Sequence, residues 1–191
     1  MELKFLRSQI NPHFLFNVLS SLVSLARKKS DRLEPSLILL SDMMRYMIYD
    51  SNDKKVSLES EVTYLESYIA LQQLRFDDSV PINASLELDS SSDHLLIEPM
   101  LLIPFVENAF KHGTGWINGP AIKIHLRVES KILVFNVENR FNGTDTQKDT
   151  AGGIGLVNVK SRLNLLYPGR HQLTSSIERN TFIVHLRIQL Q

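Results

Sequence analysis

The N-terminal part of the chain carries apolar residues at the spacing of amphipathic helices. Over residues 3–29 they recur in alternating steps of three and four, which predicts one long helix. A second helix is predicted over residues 35–50, with Pro35 at its first turn, where proline is well tolerated. A third is predicted over residues 57–76. Because a short helical hairpin cannot bury both of its faces alone, we expect it to complete a four-helix bundle with a second copy of the chain.

Beyond residue 76 the pattern changes to the alternation that is typical of strands with one buried face. Turns at Ser130-Lys131 and Arg179-Asn180 are predicted to join four of these strands into two hairpins. The strands are predicted over residues 82–89, 121–129, 132–139, 171–178 and 181–190, and the helices over residues 99–113 and 154–169. The sequence therefore predicts an α+β chain: helical residues 1–76, then residues 77–191 as an α/β sandwich with a mixed, mostly antiparallel sheet.

Composition narrows the classes of protein that fit this pattern. The 191 residues are 43% hydrophobic, enough for a proper core, and 21 basic residues balance 21 acidic ones. A neutral chain lacks the basic field of a nucleic-acid-binding protein, so no nucleic acid partner is expected. The absence of cysteine excludes disulfides and thiolate metal ligands. No apolar run is long enough to cross a bilayer and no signal peptide is visible, yet the abrupt helical start suggests a missing upstream portion.

The segment QINPHFLFN, residues 9–17, places a proline and a histidine inside the first predicted helix. Proline within a helix removes a hydrogen bond and costs about 3 kcal/mol, so we expect a kink at Pro12. Local strain is tolerated more readily where function requires it. A neutral imidazole is a competent nucleophile, and the kink would tilt His13 toward an incoming reagent, with Asn17 on the same face one turn later. The alternative is a tolerated kink beside an ordinary surface histidine.

Two further segments carry groups that suit phosphates. In PFVENAFKHG, the polar residues Glu107, Asn108, Lys111 and His112 interrupt an otherwise apolar helix. The carboxamide oxygen of Asn108 can enter a magnesium shell, and a lysine three residues later can neutralise phosphate oxygens. The alternative is a helix end that faces water. In GGIGLVNV, residues 152–159, three glycines precede or open a helix and expose backbone N–H groups suited to phosphate binding.

Together the three segments resemble one family, the sensor histidine kinases of the LytS type, whose ATP-binding domain is shared with gyrase, Hsp90 and MutL. QINPHFLFN is similar to the family's phosphoacceptor motif, VENAFKHG to its N box and GGIGLVNVKSRL to its second glycine box. YIALQQLRF resembles the segment that leads into the ATPase domain. The resemblance covers essentially the whole chain in the expected order. It implies a dimeric helical phosphoacceptor region followed by a GHKL (Bergerat) ATPase fold.

The resemblance also implies the activity and its partners. It implies a protein-histidine kinase that uses ATP and Mg²⁺ to phosphorylate His13, and then passes the phosphoryl group to an aspartate on the receiver domain of a response regulator. It implies a homodimer in the cytoplasm, with the inner membrane reached only through an upstream segment absent from this chain. Residues 140–150 would form a lid over the nucleotide. The residues implied to bind nucleotide are Asn108, which also ligands Mg²⁺, Lys111, His112, Asn139, Gly153, Gly155, Leu156 and Asn158.

Two positions depart from the family pattern. The adenine-reading residue is normally an aspartate in an Asp-x-Gly motif, whereas this chain has Asn139 with no glycine two residues later. The carboxamide oxygen of Asn139 can accept the same hydrogen bond, but without charge. Many histidine kinases place an acid directly after the histidine; this chain has Phe14 there, so Glu107 is the candidate base. Asn17 lies where related kinases have a residue that orients water for dephosphorylation of the response regulator.

Other classes of protein fit parts of the pattern. A non-catalytic dimeric scaffold with a degenerate nucleotide site would explain Asn139, and an ATP-gated conformational machine would explain a gyrase-like ATPase domain. A metal enzyme is not expected, because His94, His125, His171 and His185 have no ligand spacing. Two of them, His125 and His185, lie in strand patterns and are predicted to lie on a face of the sheet.

Overall fold

The structure is a computed structural model that describes residues 12–50, 54–76, 80–89, 92, 94–113, 121–140 and 154–191. The helices in these ranges are α1 Pro12–Arg27, α2 Leu33–Ile48, α3 Leu58–Phe76, α4 Ile103–His112 and α5 Ile154–Leu166. The strands are β1 Val56–Ser57, β2 Ile82–Glu87, β3 Leu96–Ile97, β4 Ile122–Glu129, β5 Ile132–Arg140, β6 His171–Glu178 and β7 Thr181–Gln189. The predicted α+β class is confirmed. None of the helices in the described part of the chain is both long and apolar enough to span a membrane.

The helical hairpin predicted from the first apolar pattern is present. α2 begins at Leu33, slightly earlier than predicted, and Pro35 lies in its first turn, where its missing N–H costs nothing. α1 is described from Pro12, so the predicted helical residues 3–11, and with them any kink at Pro12, lie outside the described residues. Both helices pack on α3 through buried side chains, which are Phe14, Val18 and Leu22 of α1 and Leu40, Met43 and Tyr46 of α2. Pairing of this hairpin with a second copy stays a prediction.

A five-stranded sheet of order β2-β4-β5-β7-β6 organises the rest of the chain. β2 and β4 run parallel and the other neighbours run antiparallel, as predicted for a mixed, mostly antiparallel sheet. Both predicted hairpin turns are present, with positive φ angles at Ser130, Lys131, Arg179 and Asn180. Two successive positive φ values give the tight turns whose twist matches that of antiparallel strands.

One face of the sheet is covered by helices. Along β4 and β5 alternate side chains are buried beneath α4, which are Ile122, Ile124, Leu126, Leu133, Phe135 and Val137. Phe105 of α4 meets Phe135 edge-on, with ring centroids 6.1 Å apart. The intervening residues lie on the outer face, where His125 is exposed and His185 is half-buried, as predicted. The helix-covered face is therefore the core of this part of the chain, and its residues position α4.

The two shortest strands, β1 and β3, were not predicted from the sequence. Val56 pairs with Ile97 in an antiparallel bridge, and Leu58 donates a backbone hydrogen bond to the carbonyl oxygen of Leu95 at 2.8 Å. A strand of two residues is too short for alternation to be recognised. The pair ties the start of α3 to the segment that leads into α4, so it connects the helical residues to the sheet-bearing part.

Candidate active site

His13 is the second described residue of α1, and its side chain is exposed. Asn17, one turn later, places its amide nitrogen 3.2 Å from Nδ1 of His13, so the spacing brings the two side chains together as predicted. When an asparagine amide turns over, its nitrogen and oxygen exchange places, and Oδ1 can then accept a hydrogen bond from Nδ1–H. In that arrangement Nε2 of His13 keeps the lone pair that a nucleophile needs.

The buried ring of Phe14 explains why no acid follows His13. The ring is only 7% exposed and stacks on Tyr68 of α3 at a centroid distance of 4.6 Å. Tyr68 in turn meets Phe110 of α4 edge-on at 6.0 Å. A carboxylate at position 14 would have to be buried in this aromatic cluster, at a large desolvation cost. The contacts anchor the start of α1 in the same cluster as α4, and a base has to come from elsewhere.

α4 presents the predicted polar residues on its less buried side. Its buried residues are Ile103, Phe105, Val106, Ala109 and Phe110. Glu107, Asn108 and His112 are half-buried and Lys111 is exposed. Lys111 and His112 lie in the last turn, where the helix dipole favours positive charge. Asn108 and Lys111, three residues apart, share one face of the helix.

Glu107 has an unusual ionisation for a glutamate. Burial raises the pKa of its carboxyl group to about 7. Burial also raises the pKa values of Tyr64 and Tyr68 on α3, and the nearby charge of Glu107 raises them further. A carboxyl group that titrates near neutral pH can accept and release a proton under physiological conditions. The raised pKa fits the prediction that Glu107, which directly precedes Asn108 in sequence, acts as a general base, and that role stays a prediction.

The end of α4 meets the end of β5 at Gly113 and Asn139. A Cβ atom added to Gly113 would lie 2.7 Å from the carbonyl oxygen of Ala109 and 3.0 Å from the Cβ of Asn139, so a side chain does not fit there. Asn139 is only 2% exposed. The structure thus brings Asn139 close to the helix end that carries Lys111.

The glycine-rich segment is described only in part. Gly153 lies outside the described residues, and Gly155 lies in the first turn of α5. Leu156 is partly buried and packs against the hydrophobic core, and Asn158 is half-buried. The start of α5 is therefore oriented by Leu156, while the predicted contacts of Gly153 with phosphate stay a prediction.

The predicted lid, residues 140–150, is described only at Arg140. Arg140 is the last residue of β5 rather than a loop residue, because its backbone continues the ladder and pairs with Thr181 of β7. Arg140, Thr181, Glu138 and Ile183 help to line a cavity of about 700 Å³. These residues alternate with the buried ones along their strands, so the cavity lies on the outer face of the sheet, away from α4 and Asn139.

A buried polar cluster at the junction of α2, α3 and α4 was not predicted from the sequence. The carboxylate of Glu61 is fully buried and accepts hydrogen bonds from the Tyr46 hydroxyl at 2.5 Å and from the backbone N–H groups of Met100 at 2.9 Å and Leu102 at 3.1 Å. Burial raises the pKa of Glu61, and these hydrogen bonds oppose part of that rise. Glu61 lies four residues before the fully buried Leu65, on the same face of the helix. A glutamate within this apolar stripe is the sequence feature that could have indicated a buried polar cluster.

The sequence is similar to known sensor proteins. The histidine kinase family model matches residues 1–80. The sensor protein LytS of Streptococcus agalactiae serotype V is 30% identical over 98% of this chain and 34% of its own length. The sensor histidine kinase YesM of Bacillus subtilis is 31% identical over 96% of this chain and 32% of its own length. The sensor histidine kinase YpdA of Escherichia coli is 31% identical over 87% of this chain and 30% of its own length. The chain spans about a third of the length of these curated relatives.

The fold is also shared with a solved histidine kinase domain. The histidine kinase domain of the blue-light activated histidine kinase of Erythrobacter litoralis EL346 superposes with a TM-score of 0.54 at 17% sequence identity, covering 84% of this chain and 75% of that one. The fold agrees with the family indicated by the sequence matches. The sequence matches support a histidine kinase of the LytS type.

Proposed function

We propose that this chain is the catalytic part of a two-component sensor histidine kinase. In this proposal His13 receives the γ-phosphoryl group of Mg-ATP and then supplies it to an aspartate on the receiver domain of a response regulator. The observation that carries the proposal is the geometry of His13: its imidazole is exposed and contacts Asn17, while its neighbour Phe14 is fixed to Tyr68 beside α4. The segment presents a nucleophile outward and is anchored to the helix that carries Asn108.

The residues at the end of α4 fit a magnesium-bound nucleotide. Asn108 would offer one carboxamide oxygen to Mg²⁺, which prefers oxygen ligands and takes its others from phosphates and water. The exposed Lys111, with His112, would neutralise phosphate oxygens. Asn139, next to Gly113, would accept a hydrogen bond from the exocyclic amine of adenine. The ion itself supplies charge neutralisation at the transferring phosphate.

The start of α5 is proposed to complete the nucleotide site. Gly153 and Gly155 would let the backbone approach the phosphates, and Leu156 and Asn158 would lie in the first turns beside them. A helix N-terminus suits this role because its free N–H groups and dipole favour negative charge. Leu156 supports the assignment because its packing on the core fixes the orientation of this helix end.

The transfer step needs a nucleophile, an aligned phosphorus atom and a base. The lone pair on Nε2 of His13 forms a bond to the γ-phosphorus while the bond to the β,γ-bridging oxygen breaks, and ADP leaves with that electron pair. Asn17 holds the ring through Nδ1. As this bond forms, the Nδ1 proton leaves the ring for a base, and Glu107 is our candidate because its pKa is about 7. We also propose that Asn17 orients water when phosphate is removed from the regulator.

Glu107→Gln is expected to lower the rate of autophosphorylation by about 10- to 100-fold and to flatten its pH profile. Because the pKa of Glu107 is about 7, its carboxyl group is mostly protonated at the acidic side of neutrality and mostly ionised at the alkaline side, so the wild-type rate should rise between them. Initial rates measured across neutral pH check this. Glu66→Gln, on the exposed side of α3, should keep the wild-type profile. An unchanged profile in Glu107→Gln would assign the rise to another group.

Exposed apolar stripes on the hairpin support a homodimer. The exposed residues are Phe16, Leu19 and Val23 on α1 and Leu37, Met44 and Ile48 on α2. Within each helix they lie at spacings of three, four or seven, which places them on one face. A second copy covering these stripes would complete a four-helix bundle. We therefore propose residues 1–76 as the dimerisation and phosphoacceptor region and residues 77–191 as the nucleotide-binding domain.

We place the chain in the cytoplasm, where ATP and response regulators are found, as part of a sensor anchored in the inner membrane. The anchor would lie in a segment outside this chain. The proposal is compatible with the length of the chain, which spans about a third of its curated relatives.

The proposal is tested with Mg²⁺ and ATP labelled at either the γ- or the α-phosphate. We expect the chain to take up label from the γ position only, in a form that is lost in acid and kept in base, as a phosphoramidate is. Steady hydrolysis without protein labelling would contradict the proposal and support an ATP-gated conformational machine. If the chain neither binds ATP nor takes up label, the result would support a scaffold with a degenerate nucleotide site, the alternative that Asn139 motivates.

A further inference from the structure

The loop that leads into α4 is held by a side chain from a different helix. We call Pro99 to Leu102 the lead-in loop. Glu61 of α3 accepts one hydrogen bond from the N–H of Met100 at 2.9 Å and one from the N–H of Leu102 at 3.1 Å. Met100 has a φ of 55°, a left-handed conformation that a residue with a side chain rarely adopts unless its surroundings hold it there. The carboxylate of Glu61 is therefore part of what keeps the lead-in loop in this shape.

The lead-in loop is also held from the side of α5. The guanidinium group of Arg162 donates to the carbonyl oxygen of Pro99 at 2.8 Å and to that of Met100 at 3.0 Å. The donors and acceptors of the loop are thus divided, with its N–H groups facing Glu61 and its carbonyl groups facing Arg162. Two helices on either side fix the backbone from which α4 starts.

The contact with Glu61 bears directly on the position of the candidate catalytic residues. The N-cap residue of α4 is Leu102, whose side chain has no acceptor for the free N–H groups at the helix start. Glu61 instead accepts the N–H of Leu102 itself, directly before the first turn, and its negative charge complements the positive end of the helix dipole. Glu107 and Asn108 follow within α4, so their placement depends on how the lead-in loop is held.

The third hydrogen bond to Glu61 comes from the helical hairpin. The hydroxyl of Tyr46 on α2 donates to the Glu61 oxygen that also accepts the N–H of Met100. The Tyr46 ring is buried and stacks on Tyr64 of α3, with centroids 4.7 Å apart. One carboxylate therefore joins the hairpin helix α2 to the loop that starts α4.

We propose that Glu61 is a positioning residue for the phosphorylation reaction, coupling the placement of α2 to the placement of α4 through the hydrogen bond from Tyr46. The inference rests on the proposed function, because its consequence is the alignment of Asn108 and Glu107. A movement of α2 that withdraws the Tyr46 hydroxyl leaves Glu61 with one donor fewer, and the lead-in loop is then held less firmly. The state of the hairpin is in this way transmitted to the residues that serve the nucleotide.

Tyr46→Phe tests the coupling, because it removes one hydroxyl and keeps the ring in its stack. We expect the rate of His13 phosphorylation at saturating ATP to fall about five- to tenfold. The dissociation constant for ADP should stay within about twofold of wild type, because no nucleotide contact is removed. The matched control is Tyr49→Phe, which removes an exposed tyrosine hydroxyl at the C-terminal end of α2. Its rate and its ADP affinity should both equal those of wild type.

Amide hydrogen exchange gives a readout that does not need the chemistry. In the ligand-free chain the amides of Met100 and Leu102 should exchange faster in Tyr46→Phe than in wild type or in Tyr49→Phe. Equal exchange and equal phosphorylation rates in Tyr46→Phe and Tyr49→Phe would overturn the inference. If the wild-type chain does not label His13 at all, the proposed function fails, and the exchange at Met100 and Leu102 alone decides whether Tyr46 controls the lead-in loop.

Discussion

His13→Gln abolishes acid-labile labelling from γ-labelled ATP, a loss of at least about 1,000-fold. The amide nitrogen of glutamine has no available lone pair and cannot attack phosphorus. The fold should survive, because His13 is exposed and the packing of this turn is provided by the buried Phe14. The affinity for ADP, measured by calorimetry on the same preparation, should equal that of wild type, since the proposed nucleotide-binding residues lie on α4, β5 and α5.

His125→Gln is the matched control for this substitution. His125 lies on the outer face of the sheet in β4, and its side chain is exposed like that of His13. We expect it to label at the wild-type rate. Labelling that persists in His13→Gln, whatever side chain carries it, would rule out His13 as the nucleophile.

Asn108→Ala is expected to produce the second large effect, a fall in the phosphorylation rate on the order of 100-fold. The substitution removes the carboxamide oxygen proposed to ligand Mg²⁺, and the ion aligns the phosphates and neutralises their charge. The rate should be measured as a function of Mg²⁺ concentration at fixed ATP. Because one ligand is missing, the variant should need more Mg²⁺ than wild type to reach half of its maximal rate.

Asn164→Ala provides the comparison for Asn108→Ala. Asn164 is exposed on α5, so it tests the loss of a surface carboxamide without a proposed ligand role. It should show the wild-type rate and the wild-type Mg²⁺ dependence. If Asn108→Ala matches it in both respects, Asn108 is not a magnesium ligand and the ion must be held by other groups.

The elements with a clear hydrophobic period were predictable from the sequence. The alternation along residues 121–129 and 132–139 predicted β4 and β5, because one face of each strand is covered by α4 while the other faces outward. The start of α2 was predicted only approximately, since proline is tolerated anywhere in a first turn. The strands β1 and β3 were not predicted, because two residues carry no period and their pairing depends on tertiary contacts.

The candidate site was predictable where it depends on local spacing. Four residues separate His13 from Asn17, which places both on one helical face, and the structure shows their contact. The approach of Gly113 to Asn139 could not be predicted in the same way, because it depends on how α4 packs on the sheet. The burial of residue 139 gives a physical reason for asparagine where the family pattern has aspartate. An asparagine at this position avoids the desolvation cost of a carboxylate but lacks its negative charge.

The glutamate of the polar cluster illustrates what a sequence pattern leaves undecided. Glu61 follows Ser60 near the predicted start of the third helix, a position where an acidic residue also fits a helix-start signal. Its partners, Tyr46 on α2 and the backbone of the lead-in loop, lie far away in sequence, and only tertiary packing brings them to one carboxylate. Burial, rather than helix initiation, accounts for the pKa rise of this carboxyl group.

The location of the phosphoryl group after incubation with Mg-ATP tests the central claim most directly. Cleavage by trypsin after Arg7 and Arg27 releases residues 8–27, a peptide that contains His13 as its sole histidine. Mass spectrometry under alkaline conditions is predicted to find the phosphate in this peptide, on His13. Phosphate on any other residue, or a chain that binds ATP but carries no phosphate, would contradict the account.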